Sequence, residues 1–368
     1  MIGRLRAKWQ AGRHERRRRG AFLRPFDMSM PHRLLILGVD HRIPQSQVFP
    51  FHYYADALRQ EGVDVREAPV EAYADGIAPE GATAVAFQSQ FDITETAFDA
   101  LVALIRARNP GARLTYLDWF APTDLRLAAM ATPLVDVYLS KHLLNDRARY
   151  GAPTSGDTTL MEHYGRAFGI GHETRHFEVP EAFWPKLHLG PSFVTAPFML
   201  PVFASGARPR GPKPIDLHAR IAVGGTPWYA AMRGQCAEAV ASLDGVGTVT
   251  GTGIRHDLFL RELRRSKLCF SPFGYGEVCW RDYEAAMSGA VLIKQDMSHV
   301  ETDPDLFVAD ETYVPVNWDL SDFAEKVQWL LVDSSARERI AGAAFARMQD
   351  YARSGRFVEQ MRPLWEAG

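Results

Sequence analysis

Short, continuous apolar runs alternate with amphipathic stretches along the first half of the chain. Such runs are typical of parallel strands that are buried on both faces, and the stretches between them have the spacing of helices. The predicted strands are residues 33–38, 63–66, 82–88, 113–117 and 135–140, and the predicted helices are residues 49–60, 94–108, 141–150 and 160–168. This alternation predicts right-handed crossovers and a doubly wound parallel sheet.

The alternation stops at residues 183–214, which contain seven prolines, and then starts again. The second pattern predicts strands at residues 219–223, 246–250, 268–271, 290–294 and 313–316, and helices at residues 228–243, 257–266, 280–288, 321–331, 336–351 and 357–365. Because a proline cluster between two α/β patterns is typical of a linker, we expect two domains. The predicted division is a basic tail (1–30), a first domain (31–205), a second domain (206–350) and a C-terminal helix (351–368).

The composition agrees with a two-domain globular protein. A chain of 368 residues with 46% apolar and 23% charged residues has the size and balance expected of one. No apolar run approaches the length of a membrane span. The three cysteines, Cys236, Cys269 and Cys279, form no CxxC pair, so we expect a reducing, cytoplasmic compartment and no zinc site.

The net charge of −2 conceals a basic N-terminal segment. Residues 1–27 contain nine Lys or Arg residues against two acidic ones, a net charge of +7, so the remainder carries −9. The cations within residues 4–24 could bind an anionic membrane surface. The alternatives are a solvated arm, or translation that starts at Met28 or Met30. Because the folded body is acidic and no reader motif follows the tail, we expect no nucleic-acid partner.

The polar residues of segment 268–296 concentrate at one point. The segment predicts a strand, a glycine-bearing loop, a helix and a second strand, and Glu277, Arg281 and Glu284 fall in the loop and the first helical turns. The helix dipole disfavours a cation there unless the cation meets an anion, such as a diphosphate. A carboxylate one turn further can accept ribose or hexose hydroxyls. The alternative is an exposed i,i+3 ion pair between Arg281 and Glu284.

Other positions at strand ends are candidates for the same site. Gly274 and Gly276 permit close approach of the backbone to a ligand. Gly225 and Thr226 lie between a predicted strand and a predicted helix, where backbone amides suit phosphate. Lys294 ends the second strand of the segment and could neutralise phosphate, or it could be a solvated loop residue.

The predicted first domain offers candidates for a catalytic base. Asp40, His41 and Asp118 all follow predicted strands, and such positions face the crevice of an open α/β sheet. If the chemistry inverts configuration, one of them would take the proton of an acceptor hydroxyl. The alternative for each is a helix-capping or loop role. The DPD sequence at residues 303–305 imitates a metal motif, but no strand precedes it, so we expect no metal.

The run RRSKLCFSPFGYGEVCWRDYEAAMSGAVLI, residues 264–293, resembles the donor-binding region of GT-B glycosyltransferases. The likeness is strongest to the exostosin-like and glycosyltransferase family 1-type groups. It implies an α/β fold of two Rossmann-like, doubly wound parallel-sheet domains that face each other across a cleft. It also implies that the second domain binds a nucleotide sugar, that the first binds the acceptor, and that no metal or other cofactor is required.

The resemblance also assigns roles by position. Glu284 matches the glutamate that binds the nucleotide ribose, and Arg281 matches the arginine of the exostosin-like helix. The loop near the diphosphate and the sugar is matched by Gly274, Tyr275, Gly276 and Glu277. Retaining GT-B enzymes have seven residues between two glutamates, whereas Glu277 and Glu284 have six between them. Retention and inversion therefore both stay open.

We expect a metal-independent glycosyltransferase that moves a sugar from a nucleotide-diphosphate-sugar to a hydroxyl of a glycan, a lipid-linked acceptor or a surface polysaccharide. Its expected location is the cytoplasm or the inner face of the membrane. Two alternatives stay open: a nucleotide-sugar epimerase or phosphorylase with the same fold, and an inactive GT-B scaffold in glycan assembly. Release of nucleoside diphosphate would distinguish a transferase from a scaffold.

Overall fold

A computed structural model describes Arg18, residues 24–76 and residues 78–367. The predicted basic tail lies outside the described residues, apart from Arg18 and the residues from Arg24 onward. Arg18 forms an ion pair with the buried Glu67. In these described ranges, no helix is both long and apolar enough to cross a membrane.

A six-stranded parallel sheet forms the core of the first domain. Its strands are β1 (His32–Gly38), β2 (Val63–Pro69), β3 (Ala84–Phe87), β4 (Arg113–Asp118), β5 (Val137–Ser140) and β6 (Leu187–Leu189). Their order in the sheet is β2-β1-β3-β4-β5-β6. After β2 the chain crosses back over β1 to form β3, so the strand order switches between β1 and β3. The loops after these two strands therefore border a crevice, the usual ligand position in such sheets.

Some helices of the first domain cover its sheet, and others pack against the second domain. They are α1 (Gln45–Tyr53), α2 (Ala55–Gln60), α3 (Glu95–Arg108), α4 (Thr159–Ala167) and α5 (Leu200–Ser205), with short helical turns at Val70–Tyr73, Ala128–Ala131, Arg147–Gly151, Glu181–Lys186 and Phe193–Thr195. The hydroxyl of Thr94 accepts the N–H of Ala97 and caps α3, which buries Phe98, Val102 and Ile105 against the sheet. This helix was predicted from the same apolar spacing, and the prediction is confirmed.

A five-stranded parallel sheet forms the core of the second domain. Its strands are β7 (Ile215–His218), β8 (Thr248–Val249), β9 (Ser266–Phe270), β10 (Val291–Gln295) and β11 (Val314–Val316), in the order β8-β7-β9-β10-β11. The helices are α6 (Pro227–Ala241), α7 (His256–Arg264), α8 (Trp280–Ser288), α9 (Phe323–Val332), α10 (Ser334–Arg353) and α11 (Arg356–Met361), followed by the turn Arg362–Leu364. Here the switch in strand order lies between β7 and β9.

Two predicted elements are wrong. The strand predicted at 219–223 is a loop, because the strand ends at His218 and the following Gly224 and Gly225 have φ values of 149° and 115°. The helix predicted at 141–150 begins instead as the strand His142–Leu144, which pairs antiparallel with Val300–Thr302 of the second domain. Pairing between residues far apart in sequence overrides the local pattern there.

The two domains share a continuous apolar core. Leu34 and Ile36 of β1 belong to a cluster that extends through Phe193 and Met199 into the second sheet. The alternate residues of β1 belong to a separate cluster under α3. At the C-terminus, Phe357 of α11 packs edge-on against Phe51, with ring centroids 5.1 Å apart, so the last helix returns to the first domain.

Candidate functional site

A cleft of about 390 Å³ lies at the carboxyl ends of β7 and β9, at the switch point of the second sheet. Its lining combines cationic and aromatic side chains with one carboxylate and the glycine-bearing loop. The lining residues are Arg42, Tyr229, Arg233, Ile254, His256, Phe259, Ser271, Pro272, Gly274, Cys279, Trp280, Arg281 and Glu284. The structure thus brings three predicted site residues, Gly274, Arg281 and Glu284, to one cleft.

Arg281 stands in the first turn of α8, where the helix dipole opposes a positive charge. Its Nε atom is buried and has no hydrogen-bond partner in the described structure. No carboxylate oxygen of the described residues lies within 4.0 Å of its guanidinium group. The guanidinium carbon lies 5.7 Å from the ring centroid of Phe259. The indole Nε1 of the neighbouring Trp280 is also buried without a partner. Two buried donors without acceptors predict a ligand rich in acceptor oxygens.

Arg233 of α6 brings a second guanidinium group to the cleft. It is 6% exposed and bridges the loops that follow β7 and β9. Its Nε donates to the carbonyl of Ala222 at 3.2 Å, and its Nη1 donates to the carbonyl of Phe273 at 2.8 Å. Burial, together with the nearby charge of Arg281, lowers the pKa of Arg233. These bonds go to neutral carbonyl groups, so the charge of Arg233 adds to that of Arg281 instead of being cancelled.

Glu284 is the one carboxylate of the cleft lining. It is 5% exposed, and its Oε1 lies 2.5 Å from Nε2 of His256 at the start of α7. The other ring nitrogen of His256 lies 3.1 Å from Nη2 of Arg42, which comes from the loop after β1 in the first domain. The second oxygen of Glu284 has no hydrogen bond within the described residues and can accept one from a ligand.

Tyr275 covers the segment that contains Gly225 and Thr226. Its ring stacks on that of Tyr229 at 4.3 Å and an interplanar angle of 6°, and its hydroxyl accepts the N–H of Thr226 at 3.3 Å. Gly225 has a φ of 115°, which side-chain-bearing residues rarely adopt, and a Cβ there would come within 2.5 Å of that hydroxyl, so glycine is favoured. Gly225 and Thr226 therefore lie beside the cleft under Tyr275 and do not line it.

Gly276 and Glu277 face the first domain. A Cβ at Gly276 would lie 1.8 Å from the carbonyl oxygen of Ala121, so the loop can approach the first domain only with glycine there. Glu277 is 1% exposed and accepts hydrogen bonds from the hydroxyls of Thr123 at 2.6 Å and Thr159 at 3.1 Å. In this structure, Glu277 joins the two domains and is turned away from the cleft.

The buried carboxyl group of Glu277 makes stability depend on pH. Burial raises its pKa, but the imidazole of His299, 3.9 Å away, and the Thr123 hydroxyl outweigh this and lower the pKa from 4.5 to about 2. The unfolded chain then binds the proton more tightly, so the stabilisation is present above pH 4.5 and is lost as pH falls towards 2.

We therefore expect Glu277→Gln to lower the free energy of unfolding by about 3 kcal/mol near pH 5, and by progressively less as pH falls towards 2. Urea unfolding of both proteins across this range measures the difference. A difference that does not change with pH would contradict the assignment.

Lys294 lies inside the second domain. Its ammonium group is 0% exposed, lies 3.2 Å from Oδ1 of Asp282, and donates to the carbonyl of Ser271 at 3.1 Å. Asp282 also accepts the Ser271 hydroxyl at 2.6 Å and the backbone N–H of Cys279 at 2.8 Å. The structure therefore does not bring Lys294 to the cleft; Lys294 and Asp282 form a buried ion pair that holds α8 against β10.

The three candidate bases occupy different environments. Asp118 is buried, accepts the N–H of Phe120 at 2.9 Å and the hydroxyl of Tyr138 at 2.8 Å, and has its pKa raised by burial to about 6. Asp40 and His41 are exposed in the loop after β1, immediately before Arg42. The structure places this loop at the edge of the cleft, next to the lining residue Arg42, and leaves Asp118 inside the first domain.

The lining residues that sequence reasoning did not assign to the site include Arg42, Tyr229, Arg233 and His256. Tyr229 and Arg233 lie on α6, the helix that follows Gly225 and Thr226. Arg233 is a cation in the second turn of that helix, and its position could have indicated an anion site. Arg42 directly follows two predicted candidates. His256 reaches the site only because α7 packs beside α8, which the sequence pattern does not show.

In sequence comparisons, no protein-family model and no curated protein matches the chain. Among solved structures, it is similar to an alpha-glucosyltransferase in complex with UDP-glucose and DNA containing an abasic site, with a TM-score of 0.51 and 10% identity over 90% of this chain and 97% of that chain. An alpha-glucosyltransferase in complex with UDP matches with a TM-score of 0.51 and 9% identity, over 90% of this chain and 98% of that chain. The chain has the GT-B fold, and the predicted fold class is confirmed.

Proposed function

We propose that this protein is a glycosyltransferase that transfers a sugar from a nucleotide-diphosphate-sugar to a hydroxyl group. One observation carries the proposal: the guanidinium of Arg281 has a buried Nε without a partner, in a cleft at the switch point of the second GT-B domain. Arg281 and Arg233 together supply two charges that no carboxylate within 4.0 Å neutralises in the described structure. A diphosphate matches this charge and the fork of N–H donors.

The same residues would stabilise the reaction. When the bond between the sugar and the diphosphate breaks, the electron pair stays on the phosphate oxygen, and negative charge builds up there. Fixed guanidinium groups in a partly enclosed cleft stabilise that charge without reorganisation. Glu284, through the oxygen that His256 leaves unbonded, would accept a ribose hydroxyl and orient the nucleotide.

The first domain would bind the acceptor. If the reaction inverts configuration, Asp40 or His41 is the better base, because both are exposed beside the cleft, whereas the oxygens of Asp118 accept hydrogen bonds from within its own domain. If the reaction retains configuration, no protein base is needed. Because Arg233 and Arg281 already supply positive charge to the diphosphate site, we propose that no metal ion is required.

The acceptor and the location are part of the proposal. The acceptor would be a glycan, a lipid-linked sugar or a surface polysaccharide. The basic residues within 4–24, apart from Arg18, which pairs with Glu67, would contact anionic lipids at the inner membrane face. The net charge of −9 beyond residue 27 favours this over a nucleic-acid acceptor. The membership of the exostosin-like or family 1-type group rests on the sequence pattern of residues 264–293.

The test is a panel of UDP-, GDP- and ADP-sugars incubated with the protein and a glycan-containing lysate, with and without EDTA. We expect one donor to release its nucleoside diphosphate, and EDTA to leave the rate unchanged. Interconversion of a donor without an acceptor would instead show an epimerase. No release from any donor and no nucleotide-dependent thermal shift would show an inactive scaffold and overturn the proposal.

A further inference from the structure

Arg42 is the one cleft-lining residue of the described structure that comes from the first domain. It follows β1, and its guanidinium reaches across the domain interface to lie 4.6 Å from the ring centroid of Trp280. It lies 5.3 Å from the ring of Phe198 and 3.1 Å from Nδ1 of His256. An arginine on an exposed loop is therefore held over the donor cleft by aromatic faces and one hydrogen bond.

The two contacts of His256 assign a role to each of its ring nitrogens. The carboxylate of Glu284 can only accept, so Nε2 of His256 donates to it. Nδ1 must then accept the N–H of Arg42, since a guanidinium group can only donate. The imidazole of His256 thus connects the first domain to the carboxylate predicted to bind ribose, and the contact uses one of the five N–H donors of Arg42.

The remaining donors of Arg42 have no anionic partner. Within the described residues, no Asp or Glu oxygen lies within 4.0 Å of its guanidinium group. Its charge faces the same cleft as Arg233 and Arg281, which contains a single carboxylate. Three guanidinium groups against one carboxylate leave an excess of positive charge that a bound anion would neutralise.

We propose that Arg42 is a phosphate ligand that the first domain supplies to the leaving diphosphate. This inference rests on the proposed function. In the transfer, the bond between the anomeric carbon and the phosphate oxygen breaks, the acceptor oxygen bonds to that carbon, and the acceptor proton passes to a base or to the diphosphate. As the bond breaks, and before any proton reaches it, the departing nucleoside diphosphate carries one more negative charge than it had in the donor. Arg42 would neutralise that charge from the first domain, across the domain interface.

The test compares Arg42→Ala and Arg42→Lys with the wild-type protein and with Arg255→Ala. Arg255 is a matched control, because its side chain is 80% exposed and paired with Asp257 on the same side of the second domain. Isothermal titration calorimetry with uridine, UMP and UDP, and with the guanosine series in parallel, gives the affinities, and the working donor gives kcat and KM.

We expect Arg42→Ala to weaken diphosphate binding about tenfold or more and to leave nucleoside binding unchanged, with partial recovery in Arg42→Lys. With the working donor, kcat should fall more than KM rises, because the extra charge appears only as the bond breaks. If Arg42→Ala weakened the binding of nucleoside and nucleoside diphosphate equally, or changed neither affinity, the proposed role of Arg42 would be overturned. Wild-type protein that binds no nucleotide at all would instead overturn the proposed function itself.

Discussion

Replacement of Arg281 by alanine is expected to weaken the binding of a nucleoside diphosphate about 100-fold, the largest effect expected for a single side chain of the cleft. A hydrogen bond to a charged group contributes about 1.5–3 kcal/mol, and two parallel bonds from one guanidinium reach the upper end of that range. Arg281→Lys keeps the positive charge but loses the pair of parallel N–H donors of the guanidinium group. Its affinity for the diphosphate should therefore lie between those of Arg281→Ala and the wild-type protein. Calorimetric titration with UDP and GDP measures the effect.

The control for Arg281 is Arg261→Ala. Arg261 is 62% exposed and paired with Asp257 on the neighbouring helix α7, so its loss removes a surface charge without opening the cleft. We expect its diphosphate affinity to stay within about twofold of the wild-type value. If Arg281→Ala and Arg261→Ala had the same small effect, the cleft would not be a diphosphate site. Unfolding midpoints close to the wild-type value would show that the variants are folded.

Replacement of Lys294 by methionine is expected to destabilise the protein by about 3–5 kcal/mol, because it leaves the carboxylate of Asp282 buried without a cation to balance its charge. Both side chains are 0% exposed, so water cannot replace the lost contact. The double variant Lys294→Met with Asp282→Asn removes both charges and should recover a large part of the loss. Urea unfolding followed by circular dichroism measures all three proteins.

Unchanged stability of Lys294→Met would instead support the prediction from the sequence that Lys294 neutralises phosphate. If Lys294→Met unfolded at the same urea concentration as the wild-type protein but lost nucleotide affinity, Lys294 would be a donor ligand and not a structural residue. The conservative variant Lys294→Arg provides a second comparison. A longer, planar group does not fit the space beside Asp282 and Ser271, so we expect it to destabilise as well.

The strand-loop-helix-strand unit beside the cleft could be predicted from local sequence. The helix predicted at residues 280–288 is Trp280–Ser288 in the structure, and the adjacent strands begin and end within two residues of the prediction. Apolar runs, Gly289 with a left-handed φ of 67° and the polar residues around the helix start all act locally. Local signals of this kind also place Arg281 and Glu284 correctly in the cleft.

The remainder of the site depends on contacts between distant residues. Lys294 ends the predicted strand, which suggested an exposed group, but in the structure it lies within β10 and its ammonium group is buried beside Asp282. Glu277 belongs to the glycine-bearing loop, yet Gly276 packs so closely on Ala121 that the carboxylate turns into the domain interface. Arg42 enters the cleft from another domain. None of these three outcomes follows from spacing along the chain, because each is decided by the partner across the interface or the sheet.

The most direct test of the donor site is a crystal structure of the protein with UDP or GDP bound. The proposed site predicts diphosphate oxygens within about 3 Å of the guanidinium groups of Arg281 and Arg233, and a ribose hydroxyl at the same distance from Glu284. The indole Nε1 of Trp280 should also gain an acceptor. A nucleotide bound elsewhere, or a diphosphate out of reach of Arg281 in this cleft, would contradict the proposed site.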